Sequence, residues 1–358
     1  MCLAILVSGL PAGAEDGQPV VLHGFGGWAY GKTDANRYLS GLPDGNYSDA
    51  SFSLSVSANV SERLRIVSQM EVLNKTDGSE VELDSAFAEW MFSDRIKLRA
   101  GRVTQPFGIS TEVFDVGTLR PFLALPQAVY GPIGLVSEGY EGVGFTGSVP
   151  IHSWHLSYDV YGGGTAFDEF EGPKAFLEGE PLVEEERETT RDVIGGRIVV
   201  ETPLAGLRFG ASALTGTEVG HGRRSVAATL AEYLTDKWSA RTEYAHETVK
   251  DDLTVDGFYA ELAYRIDPQW QVASQYGRLT SDLVGVDVTE GRSLLAHEEI
   301  ALGLNYWFSH AFVCKLSYHH VDGNRFAAPD LDDLADLVSS GRLRTRTNLV
   351  AFGVQFSF

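Results

Sequence analysis

Apolar and polar residues alternate along this chain with a period of two, most plainly in its last eleven residues. In Asn348–Phe358 (N-L-V-A-F-G-V-Q-F-S-F), Val350, Phe352, Val354, Phe356 and Phe358 fall on one face, and Leu349, Ala351, Gly353, Gln355 and Ser357 on the other. Side chains alternate across a strand, so one face is large and apolar while the other is small or polar. Phe52, Leu54, Val56, Ala58 and Val60 oppose Ser53, Ser55, Ser57, Asn59 and Ser61 in the same way, as Trp154, Leu156, Tyr158 and Val160 oppose His155, Ser157, Asp159 and Tyr161. Sixteen such segments are predicted as strands, centred within 21–30, 51–60, 63–73, 83–92, 95–103, 140–149, 153–162, 192–202, 206–215, 224–234, 237–247, 256–266, 269–278, 298–308, 311–321 and 346–358. Most are about ten residues long, enough to cross a bilayer when tilted. The two faces of the first and tenth segments do not separate.

The connections alternate too. Short links follow the even-numbered strands: Ser61-Glu62, Ser93-Asp94, Pro150–His152, Pro203–Gly206, Thr235-Asp236, Asp267-Pro268 and Ser309-His310. Long ones follow most odd-numbered strands, at 31–50, 104–139, 163–191, 279–297 and 322–345, with shorter ones near 74–82, 216–223 and 248–255. A Greek-key sandwich has no reason to segregate loop lengths, whereas a membrane barrel with short periplasmic turns and long outer loops does. Trp154, Trp238, Trp270 and Phe312 open strands after short turns, and Phe92, Phe308 and Phe358 close strands at the same height, as an interfacial girdle would. The pattern predicts an all-β transmembrane antiparallel barrel of about 16 strands, a size that leaves an aqueous lumen.

Composition adjusts this picture in three places. The 44% hydrophobic content includes no later run of about 18 apolar residues, so no spanning helix is expected. A net charge of −21 argues against nucleic acid as a partner. Residues 1–14, apolar and ending Ala12-Gly13-Ala14, read as a secretory signal peptide cleaved before Glu15, with 15–358 as a single barrel. Cys2 then leaves with the signal, and Cys314 alone makes no internal disulfide.

The third connection, 104–139, is too apolar for a solvated loop: Phe107, Ile109, Val113, Phe114, Phe122, Leu123 and Leu125 need somewhere to pack. It begins in the stretch G-R-V-T-Q-P-F-G at Gly101–Gly108. That G-R-x-x-x-P-F-G motif, the strand plan and the final strand closing on Phe resemble Gram-negative outer-membrane porins of the 16-stranded type, in the superfamily that includes the phosphate-selective channels. The resemblance covers essentially Val20–Phe358. It implies a third loop folded into the lumen, a homotrimer among outer-membrane lipid and lipopolysaccharide, and passive diffusion of ions and small hydrophilic solutes without a cofactor.

Strand parity turns Arg63, Arg65, Lys97, Arg99, Arg197, Arg208, Arg241, Arg265 and Lys315 inward, together with Glu71, Glu89, Asp159, Glu201, Glu243 and Glu261. Arg99, Arg197, Arg241 and Lys315 lie nearest mid-height. By the resemblance, Glu112 and Asp115 on the third loop confront the basic wall across the constriction, and such opposed charges favour polar solutes. The competing expectation is that these charges solvate a wet wall and pair with one another. An acidic run from Asp168 to Glu188 in the fourth long loop reads as a solvated outer surface. No lysine ladder is evident, so the resemblance does not carry anion specificity. In the eighth long loop, Leu331, Leu334, Leu337 and Val338 have helical spacing, with Asp330 as N-cap and Gly341 past the end; the spacing of a calcium loop is absent.

Three functions remain open: a general diffusion channel, a porin selective for a small anion such as phosphate or a dicarboxylate, and a non-channel barrel serving as adhesin or hydrolase. For the last, Ser317 and His319 share the inward face of one strand, but no G-x-S-x-G pattern occurs. No enzymatic activity, metal or nucleotide site is expected.

Overall fold

The computed structural model describes residues 20–75, 78–109, 111, 116–131, 135, 137–168, 177, 187–218, 222–285, 288, 291–329 and 331–358. The signal-peptide reading of 1–14, the loop acids Glu112 and Asp115, the acidic residues from Glu169 to Glu186, and the Asp330 cap lie outside them.

Among the described residues, sixteen long strands and one two-residue strand form a single closed sheet. In chain order they are β1 (Val20–Thr33), β2 (Gly41–Leu42), β3 (Asn46–Asn59), β4 (Leu64–Lys75), β5 (Gly78–Ser93), β6 (Ile96–Thr104), β7 (Gly139–Ile151), β8 (Trp154–Asp168) and β9 (Arg187–Glu201). They continue as β10 (Leu207–Glu218), β11 (Gly222–Leu234), β12 (Trp238–Val249), β13 (Leu253–Arg265), β14 (Trp270–Leu283), β15 (Ala296–Ser309), β16 (Phe312–Asp322) and β17 (Arg346–Ser357). Every segment predicted from the alternation is centred on a long strand, several overrunning its short-turn end by one residue. The strands run further than predicted at the long-loop end, so that β4 and β5 pair as far as Lys75↔Gly78, β10 and β11 as far as Glu218↔Gly222, and β12 and β13 as far as Val249↔Leu253. The two-residue β2, which lies parallel to β1 through Gly31↔Gly41, had no signal in the alternation.

β1 pairs antiparallel with both β3 and β17, from Phe25↔Ser357 to Thr33↔Leu349, which closes the ring. Closure leaves no strand edge in lipid, where an unpaired N–H or C=O costs several kcal/mol (~). At the seam, Gly24 N–H donates to Phe358 O (3.0 Å) and Phe358 N–H to Gly24 O (2.8 Å). A Cβ at Gly24 would collide with the Phe358 ring, so glycine lets that terminal aromatic lie across β1.

The faces sort as the period predicts. Phe52, Leu54, Ile66, Met70, Phe258, Leu262, Ile300, Leu302, Val350 and Phe352 are exposed on the outside, where lipid replaces water. Trp154, Trp238, Trp270, Phe92, Phe308 and Phe358 are exposed at the short-turn end, and rings pack there in pairs, tilted in Trp238–Tyr264 (4.4 Å) and edge-to-face in Trp270–Tyr306 (4.8 Å). The core lies inside the barrel, built from inner-wall residues together with Phe107, Leu125, Ala128, Val129, Tyr130 and Leu135 of the connection between β6 and β7. Short helices α1 (Gln127–Tyr130) and α2 (Leu331–Ser339) belong to loops, and Gly341 (φ +65°) follows α2 in the left-handed conformation.

Candidate functional site: the lumen and its loop

The connection between β6 and β7 starts where Gly101 and Gly108 of the G-R-x-x-x-P-F-G stretch take positive φ (+131° and +58°). A Cβ at Gly101 would strike the Ala86 carbonyl, and one at Gly108 would strike Tyr130 Oη and Glu243. Both positions therefore need glycine for conformation and for space. From there the chain lies against the inner wall. Gln105 Nε2 donates to Tyr161 Oη on β8 (2.8 Å), and Gly108 N–H donates to Ser212 Oγ on β10 (3.1 Å). Glu243 on β12 accepts from the Ile109 N–H (2.8 Å), Tyr130 Oη (2.5 Å) and Tyr259 Oη (2.7 Å).

Further along, Asn305 Nδ2 on β15 donates to the Pro121 carbonyl (2.8 Å). Lys315 Nζ on β16 donates to the carbonyls of Gly117 (2.7 Å), Arg120 (2.6 Å) and Phe122 (3.1 Å), and to Gln355 Oε1 on β17 (2.5 Å). Phe107, Leu125, Ala128, Val129 and Leu135 bury against Val193, Leu214, Val226 and Leu279 of the inner wall. Sequence parity alone did not find that apolar patch, because it read the inner face as polar throughout.

The predicted inward basic residues divide into two groups. Arg197 is buried against Asp159 (3.2 Å) and donates to the Gly108 carbonyl (3.3 Å). Arg241 bridges Glu232 (2.7 Å) and Glu261 (3.2 Å), and Arg208 pairs with the same Glu232. Together with Lys315 these anchor the wall or the loop. Lys97 and Arg99 on β6 share Glu89 (3.8 and 2.8 Å) yet keep 36% and 26% of their side chains exposed. Arg65, exposed on β4, reaches Ser57 Oγ (3.0 Å), and Arg265 lies over the Trp307 ring (5.1 Å). Glu232, missed from sequence, sits on the tenth predicted segment. There alanines at 227, 228 and 231 fall on both faces and blur the period. At the long-loop mouth Glu82, Asp84 and Glu138 bring carboxylate oxygens within 4.8 Å of one another.

Two other loops enter the lumen. Tyr38, between β1 and β3, is buried and donates to Glu299 Oε1 (2.8 Å); burial and the Glu299 charge hold its hydroxyl well above the usual phenol range. Asp34 accepts from Asn348 N (2.8 Å) and Nδ2 (2.7 Å). Partial burial raises its carboxyl, but those two bonds and Arg344 outweigh that and leave it below the ordinary value. Arg325, after β16, is drawn down to about 10 by burial, with Glu247 opposing.

A closed barrel of this strand number, apolar outside and polar within, defines an outer-membrane channel protein. Residues 210–358, essentially β10–β17, match the family described as phosphate-selective porin O and P. Among solved structures, the chain is similar to the outer membrane channel DcaP of Acinetobacter baumannii (11% identity, 96% of this chain and 98% of that chain, TM-score 0.62). It is likewise similar to Salmonella typhi OmpF in complex with daunomycin (14%, 96% and 98%, 0.59) and to a trimer form of OmpT from Vibrio cholerae (11%, 96% and 100%, 0.57). No curated relative matches the sequence. The fold is that of 16-stranded outer-membrane porins, the C-terminal strands resemble the superfamily that includes the phosphate-selective porins, and together these support an outer-membrane channel for small solutes.

Proposed function

We propose that solutes diffuse passively past the segment 105–138 through the part of the lumen bounded by β3–β7, and that the protein works as a homotrimer. The observation that carries this reading is the asymmetry of the inner wall. Strands β8–β17 are engaged with the loop, whereas Arg65, Gln69, Lys97 and Arg99 opposite keep exposed or half-buried side chains. Toward the short-turn end, Arg208 and Arg241 are paired with Glu232 and Glu261, and Arg265 lies over Trp307. A solute entering from outside meets the acids Glu82, Asp84 and Glu138 first and the basic residues afterwards. Charge lining a narrow path sets selectivity by electrostatic barriers and wells.

Single-channel recording across a KCl gradient tests this. Stepwise openings are expected, and Arg65→Glu with Lys97→Glu moves the reversal potential toward cation preference. An unchanged potential sends the path elsewhere. A second reading, a binding site for a small anion, draws support from the family match and the accessible Arg65, Lys97 and Arg99; saturable block of the current by phosphate or a dicarboxylate favours it over free diffusion. Cross-linking of the folded protein to a three-copy band tests the trimer.

A further inference from the structure

The inner faces of β15 and β16 carry a polar assembly that solute passage does not use. Ser317 Oγ lies 2.8 Å from His319 Nε2, and His319 Nδ1 lies 2.7 Å from Glu299 Oε1. An ionised carboxylate only accepts, so Nδ1 carries the proton and Nε2 is left to accept from the serine hydroxyl. This order of bonds activates a serine nucleophile: a base on the hydroxyl and a carboxylate orienting the base. Glu299 is itself held by Tyr38 Oη (2.8 Å) and by Gln275 Nε2 (3.4 Å).

Beside it the wall residues are small and leave room for one ring. In the strand register, Gly303 stands opposite Ser317 and Ala301 opposite His319. The ring of Phe122 fills the space, packed on Ala263, Ala273 and Ala301 and edge-on to His319 (6.0 Å). The Phe122 carbonyl accepts from Lys315 Nζ, two residues before Ser317 on the same face. The loop thus presents an aromatic group to the pocket and a carbonyl to a cation, as an ester substrate would.

We propose that Ser317, His319 and Glu299 form a serine-hydrolase relay, occluded by Phe122, with specificity for small esters bearing an aromatic or short acyl group. Ser317 Oγ bonds to the ester carbonyl carbon as its proton passes to His319 Nε2. The tetrahedral adduct collapses, the carbon–oxygen bond to the alcohol breaks, and the alcohol leaves with that proton. Water then attacks the acyl-serine by the same route, releasing the acid and restoring Ser317.

The test exposes folded full-length protein to an alkyl fluorophosphonate and to 4-nitrophenyl butyrate. Phe122→Gly, which vacates the pocket, is expected to form a Ser317 adduct about tenfold faster than the parent chain. Ester hydrolysis by that variant falls to the uncatalysed rate when Ser317→Ala or His319→Gln is added, while channel conductance persists in all of them. Folding is checked by heat-modifiable gel mobility. Should Phe122→Gly not fold, prolonged labelling of the parent chain decides. Absence of a Ser317 adduct there, or in folded Phe122→Gly, overturns the proposal, as does hydrolysis that survives Ser317→Ala.

Discussion

Replacing Lys315 by methionine separates the stability of the loop from that of the barrel. The ammonium is buried and has four oxygen acceptors, three of them main-chain carbonyls of the segment 117–122. A hydrogen bond to a charged group is worth about 1.5–3 kcal/mol net, and an orphaned buried carbonyl costs about 1–3 kcal/mol. Lumen water can reach carbonyls that leave the wall, so the loop rather than the sheet relieves the penalty. Counting two to three bonds as truly lost gives about 4 kcal/mol against the docked loop, or about three decades in the ratio of released to docked states. Methionine has a similar volume and no charge, a change that buried sites often tolerate. The assay is single-channel conductance and current noise in planar bilayers, with hydrogen exchange of residues 116–125 on the same preparation. Higher conductance, added noise and lost protection confined to that segment are expected. Parent-like conductance and protection in a folded Lys315→Met protein would refute the idea that this lysine holds the loop.

Arg241→Ala leaves Glu232 and Glu261 facing each other without their shared partner and lowers resistance to urea by about 3–5 kcal/mol, read from the unfolding midpoint. Glu243→Ala removes the acceptor for Ile109, Tyr130 and Tyr259 and should raise current noise without changing strand content by circular dichroism. Gly26→Val drives a side chain into the Ser51 carbonyl, so the yield of folded barrel drops. The depressed carboxyl of Asp34 makes its contribution full above pH 3.8 and lost as pH falls through its lower folded value; hydrogen exchange at Asn348 should report that release. Tyr38 has the opposite sign: its raised value makes its contribution full below pH 10 and lost only as pH rises further, so thermal stability declines in alkali.

Strand number, order and closure were legible because lipid enforces a strict period on the outer face. Phe258, Leu262 and Tyr264 could stand nowhere else. The first segment was opaque because Gly24, Gly26 and Gly27 give neither face a character, and what they make room for lies largely in the last strand, the Phe358 ring, the Phe356 ring and the Val354 carbonyl, more than 300 residues away. The site was legible only as far as direction. Parity turned Arg197, Arg241 and Lys315 inward, but it could not tell a cation facing water from one facing a loop carbonyl. That difference comes from where Phe107, Leu125, Ala128, Val129 and Leu135 settle, against the apolar patch at Val193, Leu214 and Val226. Tyr38 escaped notice because a lone tyrosine in a loop has no period to betray it.

The pairing of β1 with both β3 and β17 also constrains the order of events in assembly. Its β3 contacts, such as Val20↔Ala58, join residues close in sequence, whereas Gly26↔Phe356 joins the two ends of the barrel. Contacts of such separation form late, because the intervening chain must lose its freedom before they contribute. Until β17 arrives, β1 and β16 both display open edges able to recruit another chain. The completed ring therefore records a race between closure and aggregation, and Gly24 and Phe358, which zip the last backbone bonds, sit at its finishing line.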